Sequence, residues 1–351
     1  MKALFLAGGK GTRLQPLTDK VPKPMVQIMN KPLLERTMVN LKNCGISEIV
    51  ISSCYMSRYI QDYFGDGGQL GLNIKYIVEE VPLGTGGAIK NAESMFNDTF
   101  IIFNADILSD IDIMKFVDFH KSSKVLATIA AIEVEDPSAY GAIESDSKGY
   151  IVSFIEKPKP EEILSNYINA GIYIIEPEIF AEISGDCVVS LERDVFPKIL
   201  KKGHKLAVYK DSSYWADIGT LEKYMQVHKD IMGGNCRMID CNYTGDNICI
   251  GNNVRIHPRA ELVAPVYIGD NVSIGARTVV SNSVIGNNVN IGAESRITGS
   301  ILWNDIKIGR EVTLIGSIIT SNAFVIKNKN FLNTVYSRIT NSRFKIKQVI
   351  S

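Results

Sequence analysis

Short apolar runs alternate with longer segments that carry their apolar residues on one face through the first hundred residues of the chain. Lys2–Ala7 reads as a buried strand. Pro32–Asn43 reads as a helix, with Leu33, Leu34, Thr37, Met38 and Leu41 along one face and proline at its first position. The same pattern predicts strands at Glu48–Ser52, Asn73–Val78 and Thr99–Asn104, and helices at Ser57–Phe64 and Gly87–Met95. Strand and helix in turn imply an α/β fold, a mostly parallel sheet with both faces covered. Ligands of such sheets sit beyond the carboxyl ends of the strands. Those ends carry Gly8-Gly9 and Asp106 here.

After Met232-Gly233-Gly234-Asn235 the pattern changes. Ile-Gly pairs begin at Ile250, Ile268, Ile274, Ile285, Ile291 and Ile308. Ile268 and Ile274 are six apart, as are Ile285 and Ile291, and Ile250 to Ile268 spans three such periods. One inward aliphatic per short period marks a parallel β-helix, with isoleucine stacked on isoleucine and with Gly and Asn at the corners. An irregular β-sandwich would not keep that spacing. Two domains are expected, over residues 1–234 and 245–351. Within 324–348, residues Phe324, Val325, Ile326, Phe331, Leu332, Val335, Tyr336, Phe344 and Ile346 supply an apolar closing segment or a partner surface.

Composition narrows the function. A chain of 351 residues with 45% hydrophobic and 22% charged residues is long enough for two globular domains. Lys plus Arg (38) equals Asp plus Glu (38), so the broad basic footprint of a nucleic-acid binder is missing. The first apolar run is too short for a secretory leader, and no stretch approaches the ~20 apolar residues that cross a bilayer. Six scattered cysteines include no Cys-x-x-Cys pair; Cys236, Cys241 and Cys249 form the one loose cluster, without a histidine at metal spacing. A cytoplasmic protein with reduced thiols is expected, with neither nucleic acid nor membrane as partner.

The densest chemical signal is Leu6-Ala7-Gly8-Gly9-Lys10-Gly11-Thr12-Arg13-Leu14-Gln15-Pro16-Leu17-Thr18. Glycines after a first strand let backbone N–H groups approach phosphate oxygens, and Lys10 and Arg13 can neutralise them. A dinucleotide fingerprint would need glycine at Leu14, and a Walker A loop would need Gly-Lys-Ser/Thr at its end. Residues 1–31 hold six Lys or Arg against one Asp, a local polyanion site in a neutral protein.

This string, with Pro22-Lys23-Pro24-Met25 and Asn30-Lys31-Pro32-Leu33, resembles the signature of the sugar nucleotidyltransferases. The resemblance continues through Pro82-Leu83-Gly84-Thr85-Gly86-Gly87-Ala88, Asn104-Ala105-Asp106, Tyr140-Gly141, Glu156-Lys157-Pro158, Asn169-Ala170-Gly171 and Trp215-Ala216-Asp217-Ile218-Gly219. It implies a Rossmann-like domain followed by a left-handed parallel β-helix of hexapeptide repeats. It also implies a reaction that joins a nucleoside triphosphate to a sugar 1-phosphate and releases pyrophosphate. Positioning and charge stabilisation then do most of the work, with no protein nucleophile.

The resemblance implies a role for each matched residue. Leu6, Ala7, Gly8, Gly9, Gly11 and Thr12 hold the nucleotide, as do Pro82, Gly84, Thr85 and Gly87 around its base. Arg13 and Lys23 serve the phosphates. Asp106 and Asp217 hold Mg²⁺, a hard cation suited to carboxylate and phosphate oxygens. Lys157 binds the sugar phosphate, and Glu156, Asn169 and Gly171, with Gly141 and Asp106 close by, bind the sugar. Plainer readings compete: Asp217 as a cap for a helix starting near Thr220, Glu156 as an ion-pair partner of Lys157, and Lys23 as a surface lysine. His257 reads as structural, and no histidine sits beside a nucleophile pattern.

The base loop resembles that of GDP-mannose pyrophosphorylases, with Gly86 where their usual form has alanine. GTP and mannose 1-phosphate are the expected substrates. UTP with glucose 1-phosphate and guanylyl transfer to heptose 1-phosphate are the alternatives. A regulatory homologue that binds nucleotide sugar without turnover would be free to lose one of Arg13, Lys23, Asp106, Lys157 and Asp217. The β-helix is expected to assemble a homo-oligomer.

Overall fold

The computed structural model describes every residue except 186, 238–246, 339–343 and 350–351. Cys241, residue 245 and part of the expected closing segment lie outside the described residues. The chain packs as two compact units. One comprises Met1–Lys10 and Thr37–Trp215, the other Gly11–Arg36 and Ala216–Ser351.

The first unit is built on one twisted sheet. Its strands are β1 (Lys2–Leu6), β2 (Glu48–Ser53), β3 (Asn73–Val78), β4 (Phe100–Asn104), β5 (Ala127–Glu133), β6 (Gly141–Ser145), β7 (Ile151–Glu156), β8 (Tyr167–Ile175) and β9 (Ala207–Asp211). They are ordered β7-β6-β8-β4-β1-β2-β3, with β5 paired to β8 and β9 to β5. Strands β4, β1, β2 and β3 run parallel, as strand–helix alternation requires. Beyond them β8 runs antiparallel to β4 and continues the sheet. Leu4, Ile102, Ile129 and Tyr173 from the sheet pack with Ile89, Phe96, Phe180 and Phe196 in one apolar core.

The helices α1 (Leu33–Asn43) and α2 (Ser57–Phe64) form where the apolar pattern placed them. Helix α3 (Gly84–Asn91) starts three residues before the expected Gly87 and gives way to a 3₁₀ turn at Glu93–Met95. The early start has a packing cause. Gly84 sits at φ +75°, where a Cβ would come within 2.5 Å of the Val189 carbonyl oxygen. The N–H groups of Gly86 and Gly87 donate to that same oxygen. Glycines that suggest a loop locally are here the means of close packing. Helices α4 (Ile113–Ser123) and α5 (Phe196–Lys201) complete the unit.

In the second unit, α6 (Leu221–Met232) leads to the β-helix. Ile250 stacks on Ile268 and that on Ile285, while Ile256, Ile274, Ile291, Ile308 and Val325 stack in a second column. Each coil therefore has three faces, and the six-residue spacing measures one of them. The corners belong to Asn253, Asn271, Asn288, Asp305 and Asn322, all at φ between 56° and 63°. Their side chains form a ladder, with Asn253 donating to Asn271 (3.2 Å), Asn271 to Asn288 (3.2 Å) and Asn288 to Asp305 (2.9 Å). The glycines do a different job from the corners. A Cβ on Gly251, Gly275, Gly286, Gly292 or Gly309 would come within 2.6 Å of the next coil. The last described elements, β10 (Thr334–Arg338) and β11 (Phe344–Gln348), form an antiparallel hairpin that pairs through β10 with Ile318–Ile319. No helix among the described residues is long and apolar enough to cross a membrane.

Candidate active site

In the first unit, Leu6 lies in register with Ser52 on one side and Asn104 on the other. The chain therefore leaves β1 and β4 along one edge, putting Ala7-Gly8-Gly9 and Ala105-Asp106 next to each other. The Ala7 N–H donates to Ser52 O (2.7 Å), and the Ala105 N–H to Leu6 O (3.1 Å). A Cβ at Gly9 would meet nothing within 4 Å, and at Gly8 nothing closer than 3.8 Å. The protein's own packing does not demand glycine at either position. The backbone there is open on the side a Cβ would take.

The loop expected to face the base is anchored by two buried carboxylates. Glu79 accepts from Ser52 Oγ (2.8 Å) and from the Leu83 N–H (3.1 Å). Glu192 accepts from Thr85 Oγ1 (2.6 Å), Ser190 Oγ (2.8 Å) and Tyr173 Oη (3.0 Å). Pro82 and Gly84 are exposed at the loop's rim.

The expected sugar-binding residues gather nearby on β6, β7 and β8. Gly141 faces Glu156 in register, and a Cβ on Gly141 would come within 2.8 Å of Glu156 Oε2. Burial pushes the Glu156 carboxyl above its usual range and the Glu192 charge adds to this, while Lys157 and Arg193 oppose it. Lys157 is exposed at φ +54°, its N–H donating to Tyr140 O (2.7 Å). Asn169 donates through Nδ2 to Tyr173 Oη (2.8 Å) and accepts from the Gly171 N–H (2.9 Å). Gly171 packs on Asn104, whose Oδ1 is a buried acceptor met by no protein donor. Thr85, Glu192, Tyr173 and Asn169 thus form one hydrogen-bonded chain from the Pro82–Ala88 loop to β8.

In the second unit, Gly11 takes φ +63°, and a Cβ there would fall 2.9 Å from Lys23 Cβ. The Thr18 hydroxyl donates to Gly11 O (2.8 Å), and Leu14 and Leu17 are buried beneath, so the loop is a small packed body. Thr12 and Arg13 are exposed on it. Arg13 and Asp217 both approach Gly219, where a Cβ would lie 3.3 Å from Arg13 Nη2 and 2.9 Å from Asp217 Oδ2. Asp217 Oδ1 accepts from Lys223 Nζ. The plainer reading of Asp217 fails: Thr220 itself caps α6, accepting from the Lys223 N–H (3.3 Å). His257 is exposed at a coil corner, Nδ1 accepting from the Arg259 N–H (3.1 Å).

Sequence reasoning missed Glu192, Tyr173 and Lys223. Glu192 lies in a π-helical turn, Leu191–Val195, which has no simple apolar period. Lys223 is six residues from Asp217, and only the turn before α6 brings them together.

Comparison with known proteins places these features in a family. Residues 2–233 match the model for nucleotidyl transferases, and residues 245–336 match the LbH domain of EIF2B subunit epsilon. A mannose-1-phosphate guanylyltransferase of Mycobacterium tuberculosis is 36% identical over 284 residues, covering 80% of this chain and 79% of that protein. A UTP–glucose-1-phosphate uridylyltransferase of Synechocystis is 33% identical over 319 residues, covering 81% of this chain and 82% of that one. Among solved structures, HddC from Yersinia pseudotuberculosis complexed with GMP-PN is 33% identical, with a TM-score of 0.57 over 66% of this chain and 99% of HddC.

Proposed function

The chain belongs to the nucleotidyl transferase family and is a sugar-1-phosphate nucleotidyltransferase, and we propose that it joins GTP to mannose 1-phosphate, giving GDP-mannose and pyrophosphate. The observation that carries the substrate pair is the likeness, over four-fifths of the chain, to a protein named for that reaction. The base loop from Pro82 to Ala88 supports it. The uridylyltransferase relative keeps UTP and glucose 1-phosphate as the second reading.

A sugar phosphate oxygen attacks the α-phosphorus in line. The bond to the bridging oxygen breaks, and the electron pair leaves with pyrophosphate. Backbone N–H groups at Gly8, Gly9 and Gly11 bind the triphosphate, and Arg13 and Lys23 balance its charge. Lys157 holds the sugar phosphate, and Glu156 and Asn169 accept and donate to sugar hydroxyls.

The family works with divalent metals, and we assign Mg²⁺ to Asp106 and Asp217. The donor chemistry fits: two carboxylates suit a hard cation, Asp106 just beyond the strand Phe100–Asn104 and Asp217 closing the strand Trp215–Asp217, and Asp217 already faces the cationic Lys223. Bound there, Mg²⁺ would neutralise charge on the phosphate oxygens. Catalysis is assigned to residues 1–234. The β-helix from 245 onward is assigned to homo-oligomer assembly, and the setting to the cytoplasm. A binding-only homologue is disfavoured, because Arg13, Lys23, Asp106, Lys157 and Asp217 are all present.

The test offers four nucleoside triphosphates against mannose, glucose and heptose 1-phosphates and measures pyrophosphate release. Fastest turnover with GTP and mannose 1-phosphate is expected. A higher kcat/KM for UTP with glucose 1-phosphate would transfer the assignment to the second reading.

A further inference from the structure

The phosphate loop belongs, by its contacts, to the same compact unit as the β-helix. Side-chain hydrogen bonds tie residues 15–30 to α6, the β-helix and β11. Asn30 Nδ2 donates to Asn287 Oδ1 (2.6 Å) at a β-helix turn, and the Met29 N–H donates to His228 Nε2 (3.3 Å). Tyr224 Oη donates to Gln27 O (2.7 Å) and is itself held by Trp303 Nε1 (2.8 Å). The other two come from β11. Lys345 Nζ pairs with Asp19 Oδ2 (2.8 Å), and Lys347 Nζ donates to Gln15 O (2.9 Å).

The geometry of β11 explains this reach. Alternate residues of a strand share a face, so Lys345 and Lys347 point one way and Phe344 and Ile346 the other. On the far face, Phe344 stacks on Tyr336 of β10 at 4.8 Å. Five register pairs bind β11 to β10, and β10 in turn continues the β-helix. The two ammonium groups therefore stand on a fixed support. They meet the loop at Gln15 and Asp19, the residues bracketing the buried Leu17 and Thr18, and Thr18 in turn holds Gly11.

We propose that β11 braces the phosphate loop, with Lys345 and Lys347 as positioning residues that hold Gly11–Asp19 in the shape that receives a triphosphate. The proposal rests on the assignment of that loop to the nucleotide. Through it the β-helix contributes to substrate affinity without touching substrate.

Two substitutions in the full-length protein separate bracing from simple charge. Lys345→Met and Asp19→Ala each break the same pair from opposite sides. Bracing predicts that both raise the apparent KM for the nucleoside triphosphate by about two- to fivefold, the scale of an exposed ion pair. Their combination should do no more than either alone, and the KM for sugar 1-phosphate should stay put. A direct charge effect on the triphosphate predicts opposite signs, because one variant removes a cation and the other an anion. Amide hydrogen exchange of residues 11–19, measured without nucleotide, should speed up in both variants. Opposite and additive KM shifts, or unchanged exchange, would overturn the brace. A wild-type protein that turns over no nucleotide overturns the assignment of the loop instead, and the exchange data still decide the brace.

Discussion

The backbone N–H of Met29 donates to Nε2 of His228 at 3.3 Å, joining the turn after the Gln27–Ile28 strand to the middle of α6. The other ring nitrogen, Nδ1, donates to Tyr224 O (2.9 Å), one turn earlier in the helix. The neutral imidazole satisfies both partners, and protonation would turn an acceptor into a donor facing a donor. Burial drives the His228 pKa down to about 4, with the Arg36 charge acting the same way.

That shift sets a pH dependence. A histidine whose folded pKa lies below its unfolded value leaves the unfolded chain holding more protons between the two. Stability is then complete above pH ~6.5 and falls as the pH drops toward 4, by on the order of 3 kcal/mol. Urea unfolding of wild type and His228→Gln at pH 7.5, 6 and 5 checks this. The substituted protein should show the shallower loss across that window, and parallel losses would dismiss the role of His228.

Asp106→Asn and Asp217→Asn should each lower kcat by at least about a hundredfold at saturating Mg²⁺, since each removes a charge from the proposed metal site. Neither should shift the thermal midpoint by more than a few degrees. Pyrophosphate release near the wild-type rate in either variant would exclude that carboxylate from the metal.

Arg13 and Lys157 are assigned to different substrates, and steady-state kinetics tells them apart. Lys157→Ala should mainly raise KM for the sugar 1-phosphate, tenfold or so for a lost charge-assisted contact. Arg13→Ala should lower kcat if its contact tightens as pyrophosphate departs. A Lys157→Ala protein impaired only toward the nucleotide would require the two assignments to be exchanged.

The parts of this molecule legible in its sequence are those governed by short-range repetition. Strand–helix alternation located β1 to β4, and the Ile-Gly spacing located the β-helix, because inward stacking forces one aliphatic into each face. The residues named in the motifs occupy strand ends and tight turns, where Gly11, Gly84, Gly141 and Gly171 each meet a neighbour that leaves no space for a Cβ. What escaped depends on contacts distant in sequence. Glu192 meets Thr85 across 107 positions, and Lys345 meets Asp19 across 326. No local period reports either pairing. The grouping of residues 11–36 with the β-helix escaped for the same reason.

Two glycines should respond in opposite ways to alanine. At Gly292 a Cβ would lie 2.5 Å from Gly309 of the next coil, so Gly292→Ala should destabilise the β-helix by about 1–3 kcal/mol, as overpacking does. At Gly9 the Cβ meets nothing within 4 Å, so Gly9→Ala should melt like wild type. Its KM for the nucleoside triphosphate should nevertheless rise severalfold, because the methyl group occupies space that the proposed mechanism assigns to phosphate. Calorimetric melting with kinetics on both variants decides it: a Gly9→Ala enzyme with unchanged nucleotide KM would mean the phosphates lie elsewhere.

The last prediction concerns assembly. Phe324, Ile326, Leu332, Phe344 and Ile346 are all exposed near the final coil, between 37% and 60% accessible, an apolar group that a second copy would remove from water. Sedimentation of the full chain at micromolar concentration should therefore give a multiple of 38.8 kDa. A version ending at Met232 is an unequal control, since it also strips the phosphate loop of Asn287, Trp303, Lys345 and Lys347. Loss of activity in it would not by itself report on oligomers. Ile346→Lys within the full chain is the cleaner probe, because Ile346 points away from the lysine face of β11. It should shift the protein toward monomer while leaving the Lys345–Asp19 pair in place. A full-length wild-type protein that sediments as a monomer would remove the assembly role from the β-helix.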